Sequence, residues 1–246
     1  MRTSVKVVMF GVLSVLLWSC GSMQKSEDHE MNKQEPLVGT VMNAEQQASL
    51  TPSGVIQDLK EGNERYTQNN LTARDYPAQV KASTNGQFPE AIVLSCVDSR
   101  VPVEYVFDRG IGDIFVARVA GNFVNEDILG SMEFACKVSG SKVILVLGHE
   151  HCGAVKAAVD DVKLGNITPM LTKIRPAVEM NADYEGEKSS KNPEFVHMVC
   201  ESNVHNTINQ IRKDSPILKE MEDQGEIMIV GAIYDMDNGK VDFLSE

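Results

Sequence analysis

The sequence has few basic residues, few cysteines and no bilayer-length apolar run, and each shortage excludes a class of protein. Its 23 lysines and arginines are outnumbered by 35 aspartates and glutamates, so it lacks the basic footprint that sequence-independent nucleic-acid binding needs. Its five cysteines are irregularly spaced, which does not indicate a disulfide framework. The N-terminal apolar run covers only residues 7–17, whereas a transmembrane helix takes about 20 residues.

The N-terminal segment is instead typical of an export signal. Arg2 and Lys6 precede the apolar run, which has the length of a secretory h-region. Ser19 then precedes Cys20, and a small residue directly before a cysteine at the end of an h-region resembles a bacterial lipobox. We therefore expect residues 1–19 to be a lipoprotein-type signal peptide, with lipidated Cys20 as the mature N-terminus. An ordinary cleaved signal with an incidental cysteine is the alternative.

The remaining sequence divides into a tether and one domain. Residues 20–47 are polar and lack periodicity, which predicts a flexible tether ahead of a domain at 48–246. Removal of the signal, with its two basic residues, takes the formal net charge from −12 to −14. An acidic surface suits an enzyme with a small neutral substrate. We expect a cell-envelope protein, periplasmic or at the outer membrane, attached to the membrane only through its lipid.

Apolar, β-branched segments alternate with amphipathic ones along the domain. Strands are predicted at 91–96, 114–119, 142–148 and 227–234, with a short fifth strand at 240–244 after a turn. Helices are predicted at 53–68, 125–138, 153–163, 170–180 and 193–213. This alternation predicts an α/β domain with a mostly parallel central sheet of four strands plus a short C-terminal strand, flanked by helices. Cys136 falls on the apolar stripe of its predicted helix and Cys200 on a mixed segment, and both are expected to be packed.

Two potential metal ligands follow predicted strands at the same edge of the sheet. Cys96 ends the first strand and His149 follows the third, and the carboxyl ends of parallel strands meet at one edge. Cys152 lies three residues after His149, and Gly148 and Gly153 flank this segment, where they would permit a turn. Two thiolates and one imidazole are ligands that zinc prefers, and three protein ligands with an open fourth position indicate a catalytic site.

Three motifs together resemble the β-class carbonic anhydrases. They are Cys96-Val97-Asp98-Ser99-Arg100, Arg118-Val119-Ala120-Gly121-Asn122 and Gly148-His149-Glu150-His151-Cys152-Gly153. The resemblance extends from about Ser53 to the last strand and implies that family's fold. It implies one zinc ion per subunit, bound by Cys96, His149 and Cys152. The implied activity is that of a lyase, carbonate dehydratase, in which zinc-bound hydroxide converts carbon dioxide to bicarbonate and a proton.

The resemblance also implies roles for residues around the metal. Asp98 and Arg100 would form the catalytic dyad. In some family members the equivalent aspartate occupies the fourth zinc position in an inactive form, and the sequence leaves open whether Asp98 does so. Gln87 precedes Cys96 by nine residues, where the plant-like open subtype carries a substrate-orienting glutamine. We therefore expect the open subtype.

The remaining expectations concern the substrate pocket and the assembly. The pocket is expected to be apolar, because carbon dioxide is small and nonpolar. Its further lining residues are expected to be Phe115, Ala120, Phe134 and Gly153. Family membership implies a homodimer or homotetramer with the cleft at the subunit interface.

Two other functions fit the same motifs. A hydrolase of carbon disulfide or carbonyl sulfide would share the fold and the ligands and differ in access to the pocket. A zinc-binding scaffold without catalysis would be expected to lack the dyad, but Asp98 and Arg100 are both present. His151 lies beside two ligands and could shuttle protons, although we expect an exposed residue without a role. His197 and His205 are expected at a surface or interface.

Overall fold

Five strands form one sheet within residues 37–245, the part of the chain that this computed structural model describes. The strands are β1 (Ala91–Ser95), β2 (Ile114–Arg118), β3 (Val143–His149), β4 (Met228–Tyr234) and β5 (Val241–Phe243). Their order is β2-β1-β3-β4-β5, with β1 to β4 parallel and β5 antiparallel to β4. The predicted mostly parallel α/β sheet is therefore confirmed.

Helices flank the sheet in the described part of the chain, and they include short ones that the sequence did not predict. They are α1 (Ala44–Ala48), α2 (Pro52–Thr67), α3 (Tyr76–Ala82), α4 (Val103–Val106), α5 (Glu126–Glu133), α6 (Gly153–Val159), α7 (Ile167–Leu171), α8 (Arg175–Glu179), α9 (Pro193–Asp214) and α10 (Pro216–Asp223). A π-helical turn, Phe134–Val138, continues α5. Within residues 37–245, no helix has both the length and the apolar content needed to cross a membrane.

The central strands are buried on both faces, which is why they read as continuous apolar runs. Ile144 and Val146 of β3 pack in the cluster that includes α9, whereas Leu145 and Leu147 pack with Leu59 of α2. Full burial of each such side chain contributes about 1.5–3 kcal/mol. Cys136 and Cys200 are buried in the first cluster, as predicted. This two-sided core fixes β1 and β3, whose carboxyl ends carry metal ligands.

One predicted helix, at 170–180, is two helices instead. The chain forms α7, turns at residues 172–174 and begins α8 at Arg175. Pro176 has no backbone N–H, so a continuous helix would lack the hydrogen bond from this position to Thr172. The predicted helix at 153–163 likewise ends early, at Val159, and Asp161 beyond it has a positive φ of 51°.

The predicted flexible tether differs from the structure over residues 37–47. Val38 forms a β-bridge with Arg74, and Asn43 and Gln46 form a capping box at the start of α1. The buried amide of Gln47 donates to the carbonyl oxygens of Pro89 and Ser139, each at 2.8 Å. Polar composition indicated a tether because composition does not reveal such specific bonds. Residues 20–36, the signal peptide and the Cys20 lipidation site lie outside the described residues.

A buried carboxylate joins α2 and the segment after it to the chain beyond α4. Asp108 is fully buried and accepts hydrogen bonds from Arg65 Nε at 2.6 Å and Arg74 Nη1 at 2.5 Å. It also accepts bonds from the backbone N–H and the hydroxyl of Thr72. Burial alone would raise the pKa of Asp108, but the bonds from Arg74, Arg65 and Thr72 outweigh it and hold the pKa at about 2. The carboxylate is therefore charged and stabilises the fold.

We expect Asp108→Asn to lower the free energy of unfolding by about 3 kcal/mol, because it leaves buried Arg74 without its charged partner. The depressed pKa of Asp108 means that its contribution is complete above the unfolded value of about 3.9. That contribution is lost as the pH falls through the folded value of about 2. Urea unfolding should therefore show less acid destabilisation in Asp108→Asn than in the wild type. Exposed Asp183→Asn is the control, and equal acid sensitivity of Asp108→Asn and wild type would contradict the prediction.

Candidate metal centre

Three side chains bring their ligand atoms together at the carboxyl-terminal edge of the sheet. Cys96 follows β1, His149 ends β3, and Cys152 directly precedes α6. Their ligand atoms all lie within 4.8 Å of one another, and all three residues are buried. The predicted grouping of two thiols and one imidazole is confirmed.

The turn ahead of Cys152 is formed by other residues than the sequence predicted. Gly148 lies within β3, where a Cβ would come within 2.8 Å of a Val204 methyl group. Glycine at this position therefore allows α9 to pack closely against the strand. The chain instead reverses at Glu150 and His151, and His151 has a positive φ of 55°. The expectation that Gly148 forms the turn was wrong, because the strand continues one residue further than predicted.

The imidazole of His149 is oriented for a metal ion. Its Nδ1 lies 2.7 Å from the carbonyl oxygen of Glu150, so Nδ1 carries the hydrogen and Nε2 presents a lone pair. Nε2 is buried and has no hydrogen-bond partner among the described residues. A buried polar atom without a partner costs free energy unless a ligand takes it up. With two sulfurs beside it, this nitrogen completes a donor set that fits tetrahedral zinc with one position open.

The two sulfurs are within hydrogen-bond reach of each other, and this contact splits their pKa values. Contact with Cys152, helped by His149 and the backbone N–H of Gly121, lowers the pKa of Cys96 to about 4. The same contact with Cys96, together with burial, raises the pKa of Cys152. The two groups therefore share a proton between them. Zinc binds thiolates and releases such protons, so the pair is suited to exchange its proton for the cation.

Asp98 and Arg100 form a bidentate ion pair beside the ligands. Arg100 donates from Nε to Oδ1 of Asp98 at 2.9 Å and from Nη2 to Oδ2 at 2.7 Å, and its backbone N–H donates to Oδ1 at 3.0 Å. These bonds, the side-chain ones foremost, lower the pKa of Asp98 to about 2. Asp98 Oδ2 lies 3.9 Å from His149 Nε2. The carboxylate is therefore ionised and close to the metal centre.

Arg118, the last residue of β2, holds the loop that carries Cys96 and the ion pair. Its Nε donates to the carbonyl oxygen of Cys96 at 3.0 Å, and its Nη2 donates to those of Asp98 at 2.8 Å and Val101 at 2.7 Å. Sequence reasoning included Arg118 in a motif but did not find this role. The only signal was a guanidinium at the end of a strand neighbouring β1.

The structure brings two of the predicted pocket residues together at the edge of the sheet. Phe115 and Phe134 pack edge to face with ring centroids 6.2 Å apart. Both line a cavity of about 730 Å³ between β2 and α5, and none of the three metal ligands lines it. The two phenylalanines therefore do not share a cavity with the metal ligands of their own chain.

The other predicted pocket residues lie elsewhere. Ala120 follows β2 in a half-buried position, and Gln87 is exposed in the loop before β1. Gly153 is the first residue of α6, next to Cys152, and a Cβ there would meet no heavy atom within 4 Å. Open space therefore adjoins the metal centre at Gly153.

A second group of potential ligands is formed by Glu150, His151 and Asp237, but it is a weaker zinc site. Their ligand atoms also lie within 4.8 Å of one another, and His151 and Asp237 are exposed. Zinc has a high affinity for thiolates, and exposed carboxylates and imidazole remain solvated when no metal is bound. The zinc site is therefore assigned to the buried thiolate group.

The fold and the site define an α/β zinc enzyme with a Cys₂His site and an adjacent carboxylate–guanidinium pair. A family model described as carbonic anhydrase matches residues 91–241. The chain is 35% identical over 201 residues to carbonic anhydrase 2 of Mycobacterium tuberculosis, covering 78% of this chain and 92% of that protein. It is 33% identical over 202 residues to carbonic anhydrase of Mycolicibacterium smegmatis, covering 79% and 94%.

Solved structures agree with these sequence comparisons. The β-carbonic anhydrase CafA of Aspergillus fumigatus matches with a TM-score of 0.62 and 26% identity, covering 78% of this chain and 90% of that one. The Coccomyxa β-carbonic anhydrase matches with a TM-score of 0.61 and 25% identity, covering 80% and 88%. The chain belongs to the β-carbonic anhydrase family. It is a zinc-dependent lyase that interconverts carbon dioxide and bicarbonate, with Cys96, His149 and Cys152 positioned to bind the metal.

Proposed function

We propose that Asp98 and Arg100 are the catalytic dyad of a constitutively open carbonic anhydrase. The observation that carries this proposal is the bidentate pair, in which both oxygens of Asp98 accept bonds from Arg100. Because both oxygens of this carboxylate bind the guanidinium, Asp98 does not take the fourth coordination position of the metal in our proposal. It remains close enough to the ligands, at 3.9 Å from His149 Nε2, to contact a nucleophile there.

In this proposal Asp98, Arg100 and Gln87 each have a separate role in the hydration of carbon dioxide. When bound, the zinc ion supplies Lewis acidity and a nucleophile derived from water at near-neutral pH. Asp98 accepts a hydrogen bond from that nucleophile and orients its lone pair toward carbon dioxide. Arg100 fixes the carboxylate through its two parallel bonds. Gln87 donates its amide hydrogen to a substrate oxygen, and the released proton passes to solvent or buffer.

We expect Asp98→Asn and Asp98→Ala to reduce kcat/KM for carbon dioxide hydration by at least about a hundredfold, because each removes the charged acceptor. Zinc should remain at one ion per chain, since Asp98 is not a ligand. Stopped-flow hydration on residues 21–246, with zinc quantified in the same preparation, measures both. Asp183→Asn, which changes an exposed loop aspartate, should match the wild type.

Two results would contradict this proposal. Full hydration activity in Asp98→Asn would remove the dyad's role. A zinc-loaded wild type without hydration between pH 6 and 9 would favour the alternatives, which a sulfide-release assay separates. Hydrolysis of carbon disulfide or carbonyl sulfide would indicate the hydrolase, and inactivity on all three substrates would indicate a scaffold.

We further propose a homodimer, or a homotetramer built from it, that uses the open edge of β2. Every residue of β2 is partly or fully exposed, although four of the five are apolar, whereas β1 and β3 are buried throughout. Phe134 and Val138 extend this apolar surface and are 50% and 72% exposed. An apolar edge strand is ordinarily covered, because it otherwise pairs with other chains. The β-carbonic anhydrases of Sordaria macrospora, which share the fold, are tetrameric.

The proposed assembly would complete the substrate cleft. Gly153 directly follows the ligand Cys152, and Ala120 directly precedes Gly121, whose N–H contacts the Cys96 sulfur. Phe115 and Phe134, in contrast, line a cavity without metal ligands. In our proposal the second copy contributes Phe115, Phe134 and Gln87 to the cleft at the interface. The division of pocket residues within one chain supports this arrangement.

Phe134→Asp should therefore produce a monomer that has lost most hydration activity and keeps its zinc, because it places a charge in the proposed apolar interface. Light scattering after gel filtration gives the mass, and the stopped-flow assay gives the activity. Leu164→Asp alters another exposed apolar residue, 61% exposed, and should change neither. A fully active monomeric wild type, or an active dimer of Phe134→Asp, would contradict the proposal.

We also propose that the protein is exported and anchored in the bacterial cell envelope by lipid on Cys20. The support is the sequence pattern of residues 1–19 and the Ser19-Cys20 junction. Cys20→Ser should abolish labelling by radioactive palmitate and move the mature protein from the membrane to the soluble fraction. Ser22→Ala should behave as the wild type. Unchanged fractionation and labelling in Cys20→Ser would contradict the anchor.

A further inference from the structure

The backbone loop after β2 contacts one of the metal ligands directly. The N–H of Gly121 donates to the sulfur of Cys96 at 3.4 Å. Gly121 and Asn122 both have positive φ, 85° and 38°, which is a conformation that asparagine adopts only at some cost. A Cβ at Gly121 would come within 2.3 Å of Ile174. The position of this N–H therefore depends on an irregular, tightly packed loop that needs external support.

That support comes from two buried polar side chains of α9. Asn203 Nδ2 donates to the carbonyl oxygen of Gly121 at 2.8 Å, and the hydroxyl of Thr207 donates to that of Asn122 at 3.3 Å. Asn203 and Thr207 are 1% and 0% exposed, and they are four residues apart, so they lie on one face of the helix. Polar groups are buried at a cost unless they are hydrogen-bonded. Their bonds are directed to the loop beside the metal centre.

A hydrogen bond to a thiolate lowers the electron density that the sulfur donates to a metal ion. An N–H donor withdraws electron density from the sulfur, and such bonds tune metal–thiolate sites. Two thiolates already cancel the formal charge of a zinc ion. The N–H of Gly121 would restore part of the ion's power to acidify water.

We propose that Asn203 and Thr207 are positioning residues for the metal centre, because they hold the carbonyls of Gly121 and Asn122 and so fix the Gly121 N–H on the Cys96 sulfur. Neither residue belongs to the motifs that carry the ligands and the dyad. The inference rests on Cys96 as a zinc ligand of the carbonic anhydrase. It does not depend on the proposed role of Asp98.

The test replaces each donor by an apolar residue of similar size, in Asn203→Leu, Thr207→Val and the double variant. In cobalt-substituted protein, the thiolate-to-metal charge-transfer band should move to longer wavelength, because an unbonded thiolate is easier to oxidise. The zinc forms should lose kcat, by about tenfold in the double variant, with one metal ion still bound per chain. The band depends directly on the electron density of the Cys96 sulfur. If Asn203 and Thr207 had a purely structural role, their replacement would leave the band position unchanged.

Two matched variants serve as controls. Thr207→Ser keeps the hydroxyl and should retain the wild-type band and kcat. Ile211→Val changes a fully buried residue of the same helix without touching the loop. It should lower thermal stability but leave the band unchanged.

The inference is overturned if the folded double variant binds one cobalt ion per chain and shows the wild-type band. If Asn203→Leu does not fold, the comparison of Thr207→Val with Thr207→Ser decides, and identical bands overturn it. Failure of the proposed dyad is distinguishable, because it is measured by the hydration activity of Asp98→Asn, whereas the cobalt band of the Asn203 and Thr207 variants is recorded without a hydration assay.

Discussion

The site depends on one constraint: two sulfurs and an imidazole nitrogen are buried at a single point, where they are stable only with a proton or a cation between them. The sheet creates this point because β1 and β3 are parallel neighbours whose carboxyl ends coincide. The surrounding polar groups orient the ligands or contact them. The carbonyl of Glu150 fixes the tautomer of His149, the N–H of Gly121 contacts the Cys96 sulfur, and Arg118 holds the loop that begins at Cys96. Buried charge is tolerated here because each of these atoms has a defined partner or belongs to the group that can bind a metal ion.

The charge balance of the site matches a neutral substrate. Two thiolates cancel a divalent cation, and Asp98 cancels Arg100, so the centre carries no net charge although it is built from five charged groups. A neutral metal–thiolate centre acidifies water less strongly than one with three histidines. The local dipoles then matter more, which gives both the carboxylate of Asp98 and the N–H on Cys96 a physical reason to be held so firmly. Arg100 is 56% exposed, and Asp98 only 16%, so the guanidinium shields the carboxylate from solvent.

The sequence predicted what periodicity and side-chain chemistry encode. Strands of Val, Ile and Leu buried on both faces were located to within a residue, and Cys96, His149 and Cys152 were found because few residue types bind zinc. Contacts with the backbone were missed. Gln47 and Arg118 act on carbonyl oxygens that only the fold brings near, and a carbonyl has no signature in sequence. Gly148 was misinterpreted because a glycine needed for close packing looks like a glycine needed for a turn. Asn203 and Thr207 carried one usable signal, since they are polar residues spaced by four on an otherwise apolar helix face.

The open edge of β2 is an apolar strand edge that no other strand of the described chain pairs with. A single chain contains every metal ligand and the complete Asp98–Arg100 pair, but its Phe115 and Phe134 rings line a cavity apart from the ligands. An apolar pocket for carbon dioxide must exclude water and still admit the substrate. A pocket built within one domain would leave apolar walls facing solvent, whereas walls contributed by a second copy become buried as the assembly forms. Under the proposed dimer, the exposed strand and the divided pocket have the same cause: the metal centre is complete in the monomer, and the cleft that makes it selective for a nonpolar gas is completed by association.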